Sequence, residues 1–417
     1  MNTLLRNISS LVTVNTNGKN FKTGTEMRDV GLLQNAAMIF NEKIVWVGLD
    51  SDVHDYINTN NIRIEKSIDM SGKTILPGFV DSHTHIVFAG SRSNEFGKRL
   101  QGASYKEIAE NGGGILTTVN ATRSASTSEL YENGANLLYS AIKHGTTSFE
   151  IKSGYSLTTE GELNQLRAIK SMRENLPATI KSTFLGAHDF PPEYRNNRDR
   201  YVDLVCNEMI PMVAEEGLAD YCDVFVDEGY YTVEQGRKIL QQAARYGMKT
   251  RLHADELADV SAGKLAAEAS CLSADHLLFV SDESLDAMKA AGTVACLLPG
   301  TAYFIRMPYA DARKILDKGL ITALATDTNP GSCFTENMQM ILSLAVINMK
   351  MSAEEALNAA TINGAKSIEL SESKGSLEVG KDADFAVYGV NSYIDIFYHF
   401  GINHVQSTWI KGNKIVC

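Results

Sequence analysis

From residue 75 to residue 326 a short apolar run keeps returning along the chain, and a helical stretch fills most of the gaps. Eight such runs occur, around 75–83, 146–152, 179–187, 222–227, 248–253, 272–276, 293–298 and 321–326. Runs of this length, rich in β-branched residues, are strand candidates. Helical periodicity between them predicts helices over 160–174, 233–246, 260–269 and 282–291. Strands alternating with helices favour a parallel sheet. Eight β-then-α units allow that sheet to close, so the expected fold is α/β, a (β/α)8 TIM-type barrel. The alternative is an open doubly wound sheet. No Gly-x-Gly-x-x-Gly run follows the first strand candidate, so its nucleotide-binding form has little support.

The two ends of the chain read differently. Residues 1–70 carry short strands and turns, with 37–40 and 43–48 forming a hairpin at Asn41-Glu42. Near the other end, 384–388, 405–410 and 414–416 read as strands separated by Gly-containing turns. The expectation is a small β-sandwich domain built from both termini, 1–70 and 377–417, beside a barrel over 71–376. Between the first two barrel strands lies an insertion of about 60 residues, far beyond the usual connection. It holds Ser91-Arg-Ser-Asn-Glu95 and Asn111-Gly-Gly-Gly-Ile115. A long connection at a barrel's catalytic face is often a substrate cover; the Gly triplet either cradles an anion or turns the chain.

Composition narrows the partners. Hydrophobic residues make up 44% of the 417 and charged residues 21%, as in ordinary globular proteins. A net charge of −11 argues against nucleic-acid and anionic-membrane surfaces, although one Arg can still dominate a pocket. The six cysteines form no Cys-x-x-Cys pair and read as buried thiols. With no signal-peptide pattern and no apolar run of membrane-spanning length, the cytoplasm is the expected compartment.

The chemistry gathers at strand ends. The first run closes in Val80-Asp-Ser-His-Thr-His85. Residues two apart on a strand share a face, so His83 and His85 can reach one ion. His253 and Asp327 also end strand candidates. Three imidazoles and a carboxylate suit a metal that activates water. Of nine His, five (His83, His85, His188, His253 and His276) end strand candidates, and this clustering favours a metal site. Asp327 alone could equally cap a helix; beside three His it reads as a ligand that also accepts a proton. Glu256 is either an acid complementing a helix N-terminus or a general acid/base near the metal. His276 could orient water, polarise a carbonyl or assist the ligands. Arg92 offers a bidentate dock for a carboxylate. Tyr155 and His188 could hydrogen-bond a planar heterocycle, though alone each reads as a packed loop residue. Lys152 could be carbamylated to bridge two metals, but the fourth strand ends in Asp227 and Glu228 with no Lys, which favours a single ion.

These segments resemble the imidazolonepropionase family of the amidohydrolase superfamily. The likeness runs through Leu76-Pro-Gly-Phe-Val-Asp-Ser-His-Thr-His85, Phe88-Ala-Gly-Ser-Arg92, Gly112-Gly-Gly-Ile115 and Glu150-Ile-Lys-Ser-Gly-Tyr155. It continues through Phe184-Leu-Gly-Ala-His188, His253-Ala-Asp-Glu256, Ser273-Ala-Asp-His276 and Thr326-Asp-Thr-Asn-Pro-Gly-Ser332. The resemblance implies hydrolysis of the ring amide of 4-imidazolone-5-propanoate, a small anionic heterocycle, to N-formimidoyl-L-glutamate in histidine degradation. It implies one divalent or trivalent metal per subunit, zinc or iron, on His83, His85, His253 and Asp327. Catalysis would involve Glu256, His276 and Asp327. Substrate contacts would come from Arg92, Tyr105, Tyr155, His188, Glu256, Asn329, Gly331 and Ser332, the last a departure from the Thr expected in many relatives. A homodimer is also implied. The rival is another cyclic-amide hydrolase or a deaminase of the same superfamily.

Overall fold

A computed structural model describes residues 1–102 and 113–415. Tyr105, expected at the substrate carboxylate, lies outside the described residues. Within them the strands form two sheets. The first is assembled from both ends of the chain: β1 (Thr3–Val12), β2 (Leu32–Phe40), β3 (Ile44–Leu49), β4 (Lys66–Asp69), β5 (Thr74–Pro77), and from the far end β15 (Phe385–Tyr388), β16 (Val405–Ile410) and β17 (Asn413–Ile415). Its order is β17-β16-β15-β5-β1-β2-β3, with β4 also paired to β1. The hairpin expected at Asn41-Glu42 joins β2 to β3.

The expected sandwich takes the form of one sheet folded over on itself. Strands β2 and β16 are four places apart in that order, which would separate them by roughly 19 Å in a flat sheet at about 4.8 Å per strand. Yet the Phe40 ring lies 5.6 Å from Trp409 and 5.1 Å from Phe385. Curling brings the two wings together around this aromatic cluster, with Leu5, Ile8, Leu11 and Ile75 filling the space beside it.

The second sheet is the barrel: β6 (Phe79–Thr84), β7 (Thr146–Lys152), β8 (Thr179–Ala187), β9 (Tyr221–Val226), β10 (Lys249–Thr250) with β11 (Leu252–Ala254), β12 (Ser273–His276), β13 (Val294–Leu297) and β14 (Thr322–Leu324). Neighbours are parallel throughout. Closure comes just past the ends of β6 and β14. Asp327 N–H donates to His83 O at 3.0 Å, His85 N–H donates to Thr328 O at 2.9 Å, and Thr84 bridges Thr328 in parallel. Expected helices appear as Thr159–Asn175, Val233–Arg245, Ala262–Glu268 and Asp282–Ala291. Both faces of β7 are buried. Phe149 and Ile151 belong to the core shared with the helices, while Glu150 and Lys152 alternate inward among charged groups.

Two strand candidates break. The run 75–83 divides at Gly78, where Gly78 N–H donates to Asp384 O in one sheet and Phe79 N–H to Gly145 O near the other. A side chain at Gly78 would collide with Thr147. Pairing therefore places β5 in the terminal sheet, beyond the division expected after residue 70. The run 248–253 is interrupted at Arg251, whose side chain turns into the barrel. The long insertion contains helices Ser93–Leu100 and Ile115–Ser124.

Phe40→Ala is expected to lower stability by about 3–5 kcal/mol, because the buried ring contacts both Phe385 and Trp409. Chemical denaturation monitored by tryptophan fluorescence checks this; a shift within about 0.5 kcal/mol would show that the wings do not depend on the cluster.

Candidate active site

Barrel closure brings the end of β6 beside the turn after β14, and with it the first three polar groups of the site. His83 Nε2 and His85 Nε2 are 3.2 Å apart. Asp327 Oδ1 lies 3.6 Å from His83 Nε2 and 3.5 Å from His85 Nε2. His253, on β11 three places from β14 in the strand order, completes a buried trio whose ligand atoms all lie within 4.8 Å of one another. Among the described residues, buried His253 Nε2 has no hydrogen-bond partner. Lone pairs this close, with an orphaned nitrogen and a carboxylate oxygen beside them, fit a metal ion held by imidazole and carboxylate.

Burial keeps His83 and His85 neutral, as metal ligation requires. It pushes His83, His85 and His276 well below the usual histidine range, with neighbouring cationic and imidazole groups acting in the same direction. His188 falls to about 3, chiefly through burial. The acids move oppositely. Burial raises Asp327 to about 6, although Thr301 donates a hydrogen bond that opposes the shift. Glu256 rises well above the ordinary carboxyl range through burial, then through the negative charges of Asp327 and Asp227. Backbone strain marks the same strand ends: Asp327 has φ +54°, His276 +78° and Asp255 +50°. Non-glycine residues adopt this region rarely, and it tends to occur where a side chain must be aimed.

Glu256 is carried on a loop built by two other acids. Asp227 accepts the backbone N–H groups of Glu256, Leu257 and Ala258. Asp255 accepts those of Val260, Ala262 and Gly263 at the start of helix Ala262–Glu268. The helix-terminus role weighed for Glu256 thus falls to Asp255. Glu256 itself lines the cavity, with Oε1 3.6 Å from His276 Nδ1.

That cavity measures about 510 Å³. His85, His253 and Asp327 form part of its wall, together with His276, Glu256 and Arg92. Tyr155, His188, Asn329, Gly331 and Ser332 line it too. His188 stacks on His85 at 5.1 Å and 15°, and its Nδ1 lies 3.0 Å from Gly154 O. Arg92 Nε donates to Glu95 at 2.9 Å, and Glu95 is also held by Thr117. The guanidinium rests against Gly331, where a Cβ would fall 2.0 Å from Arg92 Nη1. Asn329 is largely spent on its own turn: Oδ1 accepts the N–H groups of Gly331 and Ser332, and Nδ2 donates to Asp327 O.

Other wall residues carried no readable sign in the sequence. Arg99, Tyr230, Leu257, Ile305 and Met307 come from loops and helix ends, without periodicity or motif to mark them. The buried charges beneath the histidines were also missed. Lys152 Nζ donates to Glu150 at 2.8 Å and to Asp223 at 2.9 Å. Burial alone would lower Lys152, but Asp223 and Glu150 hold it above the usual lysine range. Both carboxylates thus take hydrogen bonds from the Lys152 ammonium inside the barrel.

Residues 74–415 match the amidohydrolase family model. An imidazolonepropionase of Alkaliphilus oremlandii is 44% identical over 414 residues, covering 99% of this chain and 97% of its own. One from Christiangramia forsetii is 43% identical over 417 residues, covering all of both chains. One from Thermoanaerobacter pseudethanolicus is 48% identical over 356 residues, covering 85% of this chain and 86% of its own. Among solved structures, a zinc complex of atrazine chlorohydrolase from Arthrobacter aurescens has a TM-score of 0.68 at 16% identity, over 99% and 95% of the two chains. A zinc-bound adenosine deaminase from Xanthomonas campestris has a TM-score of 0.69 at 16% identity, over 99% and 92%. At such identities the structural likeness speaks for the fold alone.

Gly331→Ala is expected to push the Arg92 guanidinium away from its seat. The cost in stability should stay near the low end for overpacking, about 1 kcal/mol, because the clash is with the far end of a flexible side chain. A crystal structure of the variant together with its thermal unfolding midpoint tests this; an unmoved Arg92 would contradict it.

Proposed function

The chain belongs to the amidohydrolase family and, within it, to the imidazolonepropionases; from that premise we propose that its cavity hydrolyses the ring amide of 4-imidazolone-5-propanoate. The product is N-formimidoyl-L-glutamate, and the reaction is a step of histidine degradation. One observation carries the reading at the level of the site. The imidazole trio with its carboxylate, a buried acid pushed toward its protonated form, and a guanidinium gather at a single cavity.

We assign His83, His85, His253 and Asp327 as the residues that would hold one metal ion, with zinc and iron both compatible with imidazole and carboxylate donors. Bound there, such an ion would make water nucleophilic near neutral pH. The chain's own groups then divide the work. Arg92 takes the propionate and sets the register of the ring. His188, with Nδ1 turned to Gly154 O, offers its other nitrogen to the heterocycle, and Tyr155 packs beside it. Asp327 accepts a proton from the attacking water. His276 donates a hydrogen bond to the carbonyl oxygen as charge develops on it. Glu256 starts protonated and gives its proton to the ring nitrogen as the C–N bond breaks.

Gly331 supports this arrangement by leaving space for Arg92, while Asn329 and Ser332 hold the turn that carries Gly331. A cytoplasmic homodimer belongs to the same reading. Five buried, unpaired thiols among the described residues agree with a reducing compartment. No helix among the described residues is long and apolar enough to cross a membrane.

Glu256→Gln is expected to cut kcat by about 10²–10⁴-fold with metal content unchanged; near-normal turnover removes Glu256 from proton transfer. Arg92→Ala should raise KM for the imidazolone by at least about tenfold while leaving metal content intact, and an unchanged KM would count against the carboxylate dock. Chelation should abolish turnover, and separate re-addition of zinc and iron should identify the ion that restores it. Hydantoin, dihydroorotate and guanine, assayed alongside, should be poor substrates; preference for any of them would transfer the reading to another amidohydrolase activity.

A further inference from the structure

Beneath the histidine trio the barrel interior is ionic rather than apolar. Asp275 Oδ2 accepts from His83 Nδ1 at 2.6 Å and from Arg251 Nη2 at 3.1 Å. Arg251 is fully buried. Its Nη1 donates to Ser367 O at 2.7 Å and its Nη2 to Ser82 O at 2.8 Å. Ser82 immediately precedes His83, so one guanidinium grips both the carboxylate that touches the imidazole and the backbone beside it. A looser arrangement flanks His253, where the carboxylate holds the backbone. Asp223 Oδ1 accepts the His253 backbone N–H at 3.1 Å, Asp223 Oδ2 lies 3.0 Å from His253 Nδ1, and Lys152 donates to that same oxygen.

We propose that Asp275, backed by Arg251, is a positioning residue that fixes the His83 ring with its Nε2 turned toward the ion. Asp223, held by Lys152, fixes the backbone of His253 rather than its ring. The inference rests on the metal-site reading given above. Its physical basis is geometric. A carboxylate accepts only, so the His83 nitrogen facing it must carry the proton, which leaves the lone pair on Nε2. Asp275 reaches neither the cavity nor the reacting atoms, since both it and Arg251 are sealed from solvent. A purely structural ion pair would account for the Arg251–Asp275 contact. It would not account for the 2.6 Å bond to a residue of the metal trio.

The two explanations separate in a pair of full-length variants. Asp275→Asn keeps the shape but removes the charge and strands Arg251 as a buried cation. The double variant Asp275→Asn/Arg251→Gln removes both charges and relieves that imbalance. Zinc affinity is measured by competition with a chromogenic chelator, beside the unfolding midpoint of the metal-free protein. Asp275→Asn should weaken zinc binding by about 10–100-fold and lower the midpoint. The double variant should recover the midpoint but not the affinity. Recovery of both would reduce Asp275 to an ion-pair partner and overturn the inference, as would zinc binding by the double variant within twofold of wild type. Wild-type protein that takes up no ion overturns the metal reading together with this inference, whereas normal wild-type uptake with unaffected variants overturns the inference alone.

Discussion

Two imidazole nitrogens held 3.2 Å apart at the buried barrel mouth set the terms for everything around them. Neutral lone pairs at that separation repel unless a proton or a cation lies between them. Burial pushes both rings well below the usual histidine range, which disfavours a second proton on either. A cation between them would take up both lone pairs, and the surroundings are charged to receive one. Glu150, Asp223 and Asp275 set against Lys152 and Arg251 leave one negative charge beneath the trio, with Asp327 beside it. Buried ion pairs are weak contributors to stability compared with apolar packing. Barrel interiors are usually filled by branched aliphatic side chains. An ionic interior is therefore better understood as serving the site than as holding the barrel together.

The scaffold and the cavity wall come from different kinds of structure. Strand ends and the closure hydrogen bonds carry the ligand set, so its geometry follows from barrel register. Other groups that line the cavity sit on turns and on the long insertion after β6. There Glu95 and Gly331 hold Arg92, and Asp227 holds the loop bearing Glu256. Loops after barrel strands can vary in this way without disturbing the strand ends beneath them.

Much of this was legible because strand ends leave a local pattern. His83 and His85 share a strand face, and His253, His276 and Asp327 each terminate an apolar run, so pattern alone gathered them. The eight runs also pointed to the barrel, and their boundaries failed only where tertiary contacts intervene. At Gly78 the chain changes sheets without changing its extended conformation, which no periodicity records. Arg251 interrupts a strand to enter the interior, where a charged residue would not be expected from composition. Glu150, Asp223 and Asp275 alternate with apolar neighbours just as solvent-facing residues of a half-exposed strand would, so their burial could not be inferred. Wall residues such as Tyr230 and Met307 are brought in by loops whose paths depend on the finished fold.

The terminal sheet also bears on how the protein emerges from the ribosome. Strands β1 to β5 leave the exit tunnel first, but the partners of Phe40 on β15 and β16 follow only after the entire barrel has been made. Until then one wing presents an unpaired edge at β5 and an uncovered aromatic face, both of which invite self-association. Nascent chains stalled within the barrel would therefore be the aggregation-prone species and the natural clients of ribosome-associated chaperones.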